Sequence, residues 1–495
     1  MFDFFKFVLI VIYFLSACML MLYGLNSYVM MFFYKRGLQK AAENRRNILN
    51  SFDPEQASDL LPVVTTQIPI FNEYNVAKRI IQSACDMEYP EDKHEIQVLD
   101  DSNDVTVQLI DSIVTKLLAE GYQIKVVRRK DRTGFKAGAL AEGMKTAKGE
   151  LIAIFDADFV PPKDYLLKTV PFFLNDEKLS LVQARWGHLN SKTSPLTRAQ
   201  SIGIDGHFMI EQAARNWGSL YMNFNGTAGT WRKDAIIDGG GWQWDTLTED
   251  MDLSYRVQFR GWKTIYLPDL IVPAEIPEDI NAFKSQQFRW AKGSVETAIK
   301  LAPSIFKMKI PVFKKMEAFF HLTHYFVHPL MLLLAILAFP IMMILETGHG
   351  TLLFYLIAVI LLFSMSAPSS LYIMSQRAAY KDWKVRILWL PVLIVIGTGI
   401  AVSNSKAVFE AVIGKKSGFI RTPKKGDSQL KSYKAVLPIS ALVEIALGIY
   451  CTFSFAAYIS HGKLLIGPFL AIYAAGFLYT GLLTLAHSGS GAFDS

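Results

Sequence analysis

The spacing of apolar positions divides the chain into three stretches. From Phe7 to Tyr34 there is no charged residue, a run longer than the ~20 residues a helix needs to cross the hydrocarbon core of a bilayer. Its length and the lack of a small-residue cleavage pattern argue against a removable signal peptide. Lys35, Arg36, Lys40, Arg45 and Arg46 follow it. Basic residues at the end of a span mark the cytoplasmic side, so the N-terminus is expected outside. After Phe319 the apolar runs return: Thr323–Leu345 with Leu352–Met374, and Val436–Ile459 with Leu464–Leu485, read as two hairpins of spanning helices. The run Leu388–Val402 differs, because Arg377, Lys381, Lys384 and Arg386 precede it and Lys406, Lys415, Lys416, Arg421, Lys424 and Lys425 follow it. Basic residues on both sides place both ends in the cytoplasm, so this run is read as interfacial or re-entrant, with Pro391, Gly397 and Gly399 permitting a break. The pattern predicts five crossings rather than six and a cytoplasmic C-terminus.

Between Leu61 and about Leu301 the pattern changes to short β-rich runs alternating with helical ones. Val63–Ile70, Ile96–Leu99, Ile124–Val127, Leu151–Phe155 and Leu181–Ala184 are the expected strands. Val76–Asp86, Val105–Ala119, Lys136–Thr146 and Tyr165–Phe173 are the expected helices. Such alternation predicts an α/β domain with a mostly parallel sheet covered by helices. In open sheets of this kind the ligand lies beyond the C-terminal strand ends. The expected organisation is a spanning helix over 1–35, the α/β domain over 60–301, and spanning or interfacial helices over 302–487.

Composition agrees with a mixed membrane and soluble chain. Of 495 residues, 51% are hydrophobic and 19% charged, and mean hydropathy is +0.24. The net charge of +7 does not point to nucleic acid, because much of the basic excess adjoins apolar runs, where it orients spans and meets anionic lipid. Cys18, Cys85 and Cys451 lie far apart without zinc-type spacing, so neither a disulfide framework nor a cysteine metal site is expected.

The strand-end rule gives the acids their meaning. Asp100 and Asp101 close the second expected strand, Asp156 and Asp158 the fourth, so all are expected at one crevice. An Asp-x-Asp pair is also a common turn device. After the buried run Leu-Ile-Ala-Ile-Phe, its hard oxygens suit Mg²⁺ or Mn²⁺ completed by substrate phosphates and water. Lys136 opens a helix within Gly134-Phe-Lys-Ala-Gly138, a position that serves either as a surface lysine or as an anion site. Asn225-Gly226-Thr227-Ala-Gly229 is a small-residue loop, either a plain turn or a place for close backbone approach. Thr248-Glu249-Asp250 opens an amphipathic stretch in which Thr248 caps a helix, or Asp250 acts as a general base on a hydroxyl. Gln286 to Trp290 is either helix interior or an aromatic platform with Arg289 beside a diphosphate.

Taken in order, Gln67–Glu73, Val98–Ser102, Lys136–Ala139, Ile154–Phe159, Val182–Trp186, Phe224–Gly229, Thr248–Asp250, Gln286–Trp290 and Phe419–Lys424 resemble the family 2 glycosyltransferases. The wording is most similar to the processive cellulose synthase group, within it to the plant cellulose synthase-like A and C branches and their bacterial relatives. The resemblance implies a nucleotide-sugar-binding GT-A type (Rossmann-like) cytosolic domain inserted between transmembrane α-helices. It implies that Asp100 or Asp101 contacts the nucleotide, Lys136 the diphosphate, and Asp156 and Asp158 the nucleotide and the divalent metal. Asn225, Gly226 and Thr227 would line the donor site, and Asp250 would be the catalytic base, with Glu249 and Thr248 beside it. Gln286, Arg289 and Trp290 would line the acceptor end. Phe419, Thr422 and Lys424 would belong to a cytoplasmic gating loop over 415–427.

The expected activity is an inverting, processive hexosyltransferase of the plasma (inner) membrane that builds a β-1,4-glucan from UDP-glucose and translocates it. GDP-mannose-dependent mannan or glucomannan synthesis, and non-processive glycosylation of a lipid, are the alternatives. Expected partners are the nucleotide-sugar donor, the growing polysaccharide, the bilayer, and accessory export or cell-wall proteins. Only a short tail follows Ala486, so control by a C-terminal cyclic-di-GMP-binding domain, known in bacterial cellulose synthases, is not expected.

Overall fold

The protein is described here as a computed structural model covering residues 2–55, 58–346, 351–416, 439–463 and 465–489. Its centre is a 7-stranded sheet in the order β3-β2-β1-β4-β6-β5-β7. The strands are β1 (Val64–Ile70), β2 (His94–Asp100), β3 (Ile124–Val127), β4 (Leu151–Ile154), β5 (Leu179–His188), β6 (Gly229–Arg232) and β7 (Lys263–Ala274). β1 pairs in parallel with β2 and β4, and β2 with β3. β6 runs antiparallel between β4 and β5.

The parallel part follows from the sequence. β2 and β4 are buried at every position, as strands sandwiched between helical layers must be. On one face Ile80, Ile110, Val114, Tyr165 and Phe172 close the core. On the other, Leu140, Ile152, Phe224, Trp231 and Leu253 do so. The expected strands and helices all form, with ends shifted by up to a few residues; β5 is the longest extension, reaching His188. The α/β expectation therefore holds, with β6 and β7 added.

The first helix runs unbroken from Phe2 to Asn50, about 74 Å at 1.5 Å per residue and more than twice a hydrocarbon core. Its second half packs on the sheet domain: Tyr34 stacks on Trp217 at 5.4 Å, and Arg45 pairs with Asp269 at 2.9 Å. The expected boundary at residue 35 thus falls inside a continuous helix, because losing hydrophobicity does not end a helix that finds a second surface to pack on.

Among the described residues, five helices are long and apolar enough to cross a membrane, and a bent pair, Trp383–Gly399 with Ala401–Val412, makes up to six. The 44° bend between them lies where Leu388–Val402 was expected to break. The helix Ile280–Lys307 links the sheet domain to these helices, meeting both Ala401–Val412 and Gly467–Gly489.

Candidate active site

The C-terminal ends of the parallel strands open into a cleft lined by Asp101, Lys136, Asp156, Asp158, Asn225, Gly226, Thr248, Glu249, Asp250, Gln286, Arg289 and Trp290. β4 delivers Asp156 and Asp158 to its rim. Lys136, in the first turn of the helix Phe135–Thr146, is ion-paired with Asp156 and donates to the Gly226 carbonyl at 2.8 Å. Gly226 has φ +79, and a Cβ there would stand 3.1 Å from Asp250 Oδ2 and 3.4 Å from Lys136 Nζ. The loop thus needs glycine for its left-handed backbone. The same residue brings the carbonyl down onto the lysine.

Glu249 and Asp250 form the first turn of the helix Glu249–Phe259. Burial, with Glu249 beside it, pushes the Asp250 carboxyl up to about 8, although Lys136 and the Met251 amide favour its ionised form. Burial raises Glu249 as well, against the pull of Lys136. Burial opposes the Lys136 charge too, but Asp156, Glu249 and Asp250 hold the ammonium above the usual lysine range. Burial lowers Arg289, while Asp156 and Glu249 favour its charge. Two cations and three carboxylates therefore share one poorly solvated space, the arrangement in which perturbed acids accompany chemistry.

The far wall is aromatic and basic. Gln286, Arg289 and Trp290 come from the helix Ile280–Lys307, and Trp290 lies 6.4 Å from Trp186, which stacks on Phe208 at 4.9 Å. Trp186, Phe71, Glu73 and Arg132 also line the cleft and had no assigned role in the sequence. Arg132 lies over the Phe71 ring at 3.3 Å. The strand-end rule applied to β5 would have singled out Trp186; Arg132 carried no such signal. Asn225 is fixed by His207 Nε2 at 2.9 Å.

Two expectations need correction. Asp100 is 2% exposed and faces away from the cleft, accepting from the Ser102 amide at 3.0 Å and from Arg128 Nε at 2.8 Å. Its neighbour Asp101 takes the cleft position, gripped by two Arg129 nitrogens at 3.0 and 2.5 Å. Thr227 is fully buried, and its hydroxyl accepts the Asp156 amide at 2.9 Å. It supports the start of the Asp-x-Asp turn and does not line the cleft. Of the two readings open for Thr248–Asp250, the helix cap does not form: Thr248 lines the cleft and makes no side-chain cap, and its hydroxyl meets Thr297 at 3.0 Å. Phe419, Thr422 and Lys424 lie outside the described residues.

Thr248 marks the seam between two site helices. Directly opposite is Gly293, where a Cβ would come within 2.6 Å of Thr248 Cγ2 and 2.8 Å of its backbone nitrogen. Backbone cannot yield as a side chain can, so Gly293→Ala should force the Ile280–Lys307 helix away from Glu249 and Asp250. The expected result is a stability loss of about 1–3 kcal/mol, typical of overpacking, with a larger fall in turnover. Unfolding midpoints and rates measured on one preparation check it, and a variant with wild-type turnover would show the seam to be slack.

The family model "Glycosyltransferase like family 2" matches residues 62–293, the span holding the sheet and most of the cleft. Probable glucomannan 4-beta-mannosyltransferase 7 of Oryza sativa subsp. japonica is 44% identical over 53% of this chain and 46% of its own length, so the matched region spans about half of that relative. Glucomannan 4-beta-mannosyltransferase 9 of Arabidopsis thaliana is 34% identical over 88% of this chain and 84% of its own length. Among solved structures, a mannosyltransferase from Pyrobaculum calidifontis, in complex with GDP-Man and Mn²⁺, covers 81% of this chain and 100% of its own, with TM-score 0.50 and 18% identity. The last comparison speaks to the GT-A fold alone. The Arabidopsis match extends through the membrane helices as well as the sheet, and by it the chain belongs to the family 2 glycosyltransferases.

Proposed function

We propose that the protein is a membrane-integrated, inverting β-mannosyltransferase that uses GDP-mannose to extend a β-1,4-linked mannan or glucomannan. The observation that carries this is the 34% identity to a glucomannan 4-beta-mannosyltransferase over most of both chains. It favours mannose over the glucan from UDP-glucose expected from the motifs, which do not separate the two donors.

In this reading Asp101 faces the nucleoside and Lys136 the diphosphate. Asp250 takes the proton of the acceptor hydroxyl as that oxygen attacks the anomeric carbon, and the nucleoside diphosphate departs from the opposite face, giving a β-glycoside from an α-linked donor. Glu249 sets the charge around Asp250, while Gln286, Arg289 and Trp290 hold the acceptor end. The residues fit a divalent metal of the Mg²⁺ or Mn²⁺ kind. Asp156 and Asp158 offer two hard oxygens on the cleft wall, and such ions take the rest of their shell from phosphate and water. Among the described residues no three His, Cys, Asp or Glu side chains form a site that would hold a metal without substrate. A metal there would neutralise charge on the leaving diphosphate. The basic flank after Tyr34 supports a cytoplasmic catalytic domain, and the adjoining apolar helices support export of the product by the same chain.

The test is donor use. Purified protein in lipid, given radiolabelled GDP-mannose or UDP-glucose, should incorporate mannose into a product cleaved by β-mannanase. Incorporation from UDP-glucose alone, into material cleaved by β-glucanase, would return the assignment to a cellulose-like synthase.

A further inference from the structure

The helix Ile280–Lys307 has two working faces. Helical residues advance by about 100° each, so Lys284 and Lys292 lie about 80° apart, on the side opposite Gln286 and Trp290, with Arg289 on the flank about 60° from Lys292. The front of the helix reaches the cleft. The back carries two buried ammonium groups that the proposed chemistry does not use.

Each ammonium is bound to a glutamate on a different membrane helix. Lys284, 6% exposed, is 2.6 Å from Glu444 Oε1, with Thr484 Oγ1 at 3.3 Å. Glu444 belongs to the helix Ile439–Ser460 and is fully buried. Lys292 is fully buried as well, 3.6 Å from Glu410 Oε2 and 3.9 Å from Glu296 Oε1, and it donates to the Lys415 carbonyl. Glu410 sits in the helix Ala401–Val412. At the start of the helix, the Ile280 amide donates to His487 Nδ1 of the last membrane helix at 3.1 Å. The Gln286–Trp290 stretch is thus bracketed by contacts to the membrane helices, while Ala291 and Val295 pack with Ala407, Val408 and Ala411 between them.

Buried ion pairs are weak stabilisers, since desolvating both charges offsets their attraction, and apolar replacements are often neutral or better. They do fix register: a helix shifted by a turn takes Lys284 away from the fully buried Glu444, and takes Lys292 away from Glu410, which Lys415 also holds at 2.9 Å, and from the Lys415 carbonyl. An apolar seam alone would let the helix roll. We propose that Lys284–Glu444 and Lys292–Glu410 are positioning pairs that lock the rotation and depth of this helix on the membrane helices, and so set where Arg289 and Trp290 stand in the cleft. The inference rests on the proposed acceptor role of that face.

The test uses the full chain in lipid nanodiscs. Substituting Lys284 or Glu444 alone leaves a lone buried charge and invites misfolding, so the informative variants are the double apolar replacements Lys284→Met with Glu444→Leu and Lys292→Met with Glu410→Leu. Beside them stands the exchange Lys284→Glu with Glu444→Lys. The apolar variants should keep their unfolding midpoints and bind GDP-mannose within about twofold of wild type, yet elongate polymer about tenfold more slowly, because small misplacements of reacting groups cost rate steeply. The exchanged pair should recover most of that rate. Elongation at the wild-type rate in the apolar variants, a parallel fall of midpoint, donor binding and rate, or an exchanged pair no better than the apolar one would each overturn the proposal. If the wild-type protein makes no polymer, the function proposed above fails, and amide exchange over residues 284–292 then decides the inference. Exchange about tenfold faster in the apolar variants supports the lock, and unchanged protection overturns it.

Discussion

Asp250→Asn abolishes transfer, lowering turnover by about 10²–10⁴, the range for loss of a positioned general base, and leaves donor affinity nearly unchanged. Asp250 enters the cleft from the start of the Glu249–Phe259 helix, beside Gly226 and near the Lys136 ammonium that pairs with Asp156. A neutral amide of equal size keeps that shape and accepts no proton. Turnover and donor affinity measured by equilibrium binding separate the two roles; turnover within about tenfold of wild type would remove Asp250 as the base.

The carboxyl at about 8 adds two consequences with a definite sign. In the free enzyme the base is protonated below that value, so kcat/KM should climb with pH through about 8 and level off above it. Because the folded-state value lies above the unfolded one, native stability is fully present below the unfolded carboxyl range and is lost as pH rises through the folded one. Asp250→Asn escapes that loss. Its unfolding midpoint should therefore exceed that of wild type by a margin that widens from mildly acidic to alkaline pH, and a constant margin would show the carboxyl to be unstrained.

Much of this site was legible because strand ends are legible. Leu151–Ile154 is a short, wholly apolar run ending in acids, and a fully buried parallel strand can deliver its next residues to only one edge of the sheet. The same burial hid which of Asp100 and Asp101 faces the cleft: a strand covered on both faces shows no alternation, so only the arginines that grip each acid decide it. β6 was illegible because Gly229–Arg232 follows a loop of small residues and is a strand only by lying between β4 and β5. β7 carries Pro268 and Pro273, which argue against a strand unless it lies at an edge; its position beyond β5 satisfies that condition. The Thr248 cap failed for a tertiary reason, since the close approach at Gly293 draws its hydroxyl to Thr297. Lys284 and Lys292 gave no signal at all, because their partners lie 160 and 118 residues away in the chain.

Lys136→Met should cost about 10²–10³ in turnover, the scale for losing one preorganised charge on a developing anion, and should also move the pH profile. Lys136 favours ionisation of both Glu249 and Asp250, and it holds Asp156 and the Gly226 carbonyl together at the floor of the cleft. Without it Asp250 is harder to ionise, so the rising limb of kcat/KM shifts to higher pH, and the rate lost at neutral pH is partly recovered in alkali. Loss of a diphosphate contact alone would raise the donor KM and leave the limb in place. The two effects are therefore separable in one titration. Lys136→Arg retains the charge but replaces a compact ammonium with a planar fork, and the space between Asp156, Gly226 and Asp250 is shaped for a point charge. It should keep the limb near its wild-type position while turnover stays low. A limb that shifts equally in both variants would mean that packing at Lys136, and not its charge, governs the acid pair.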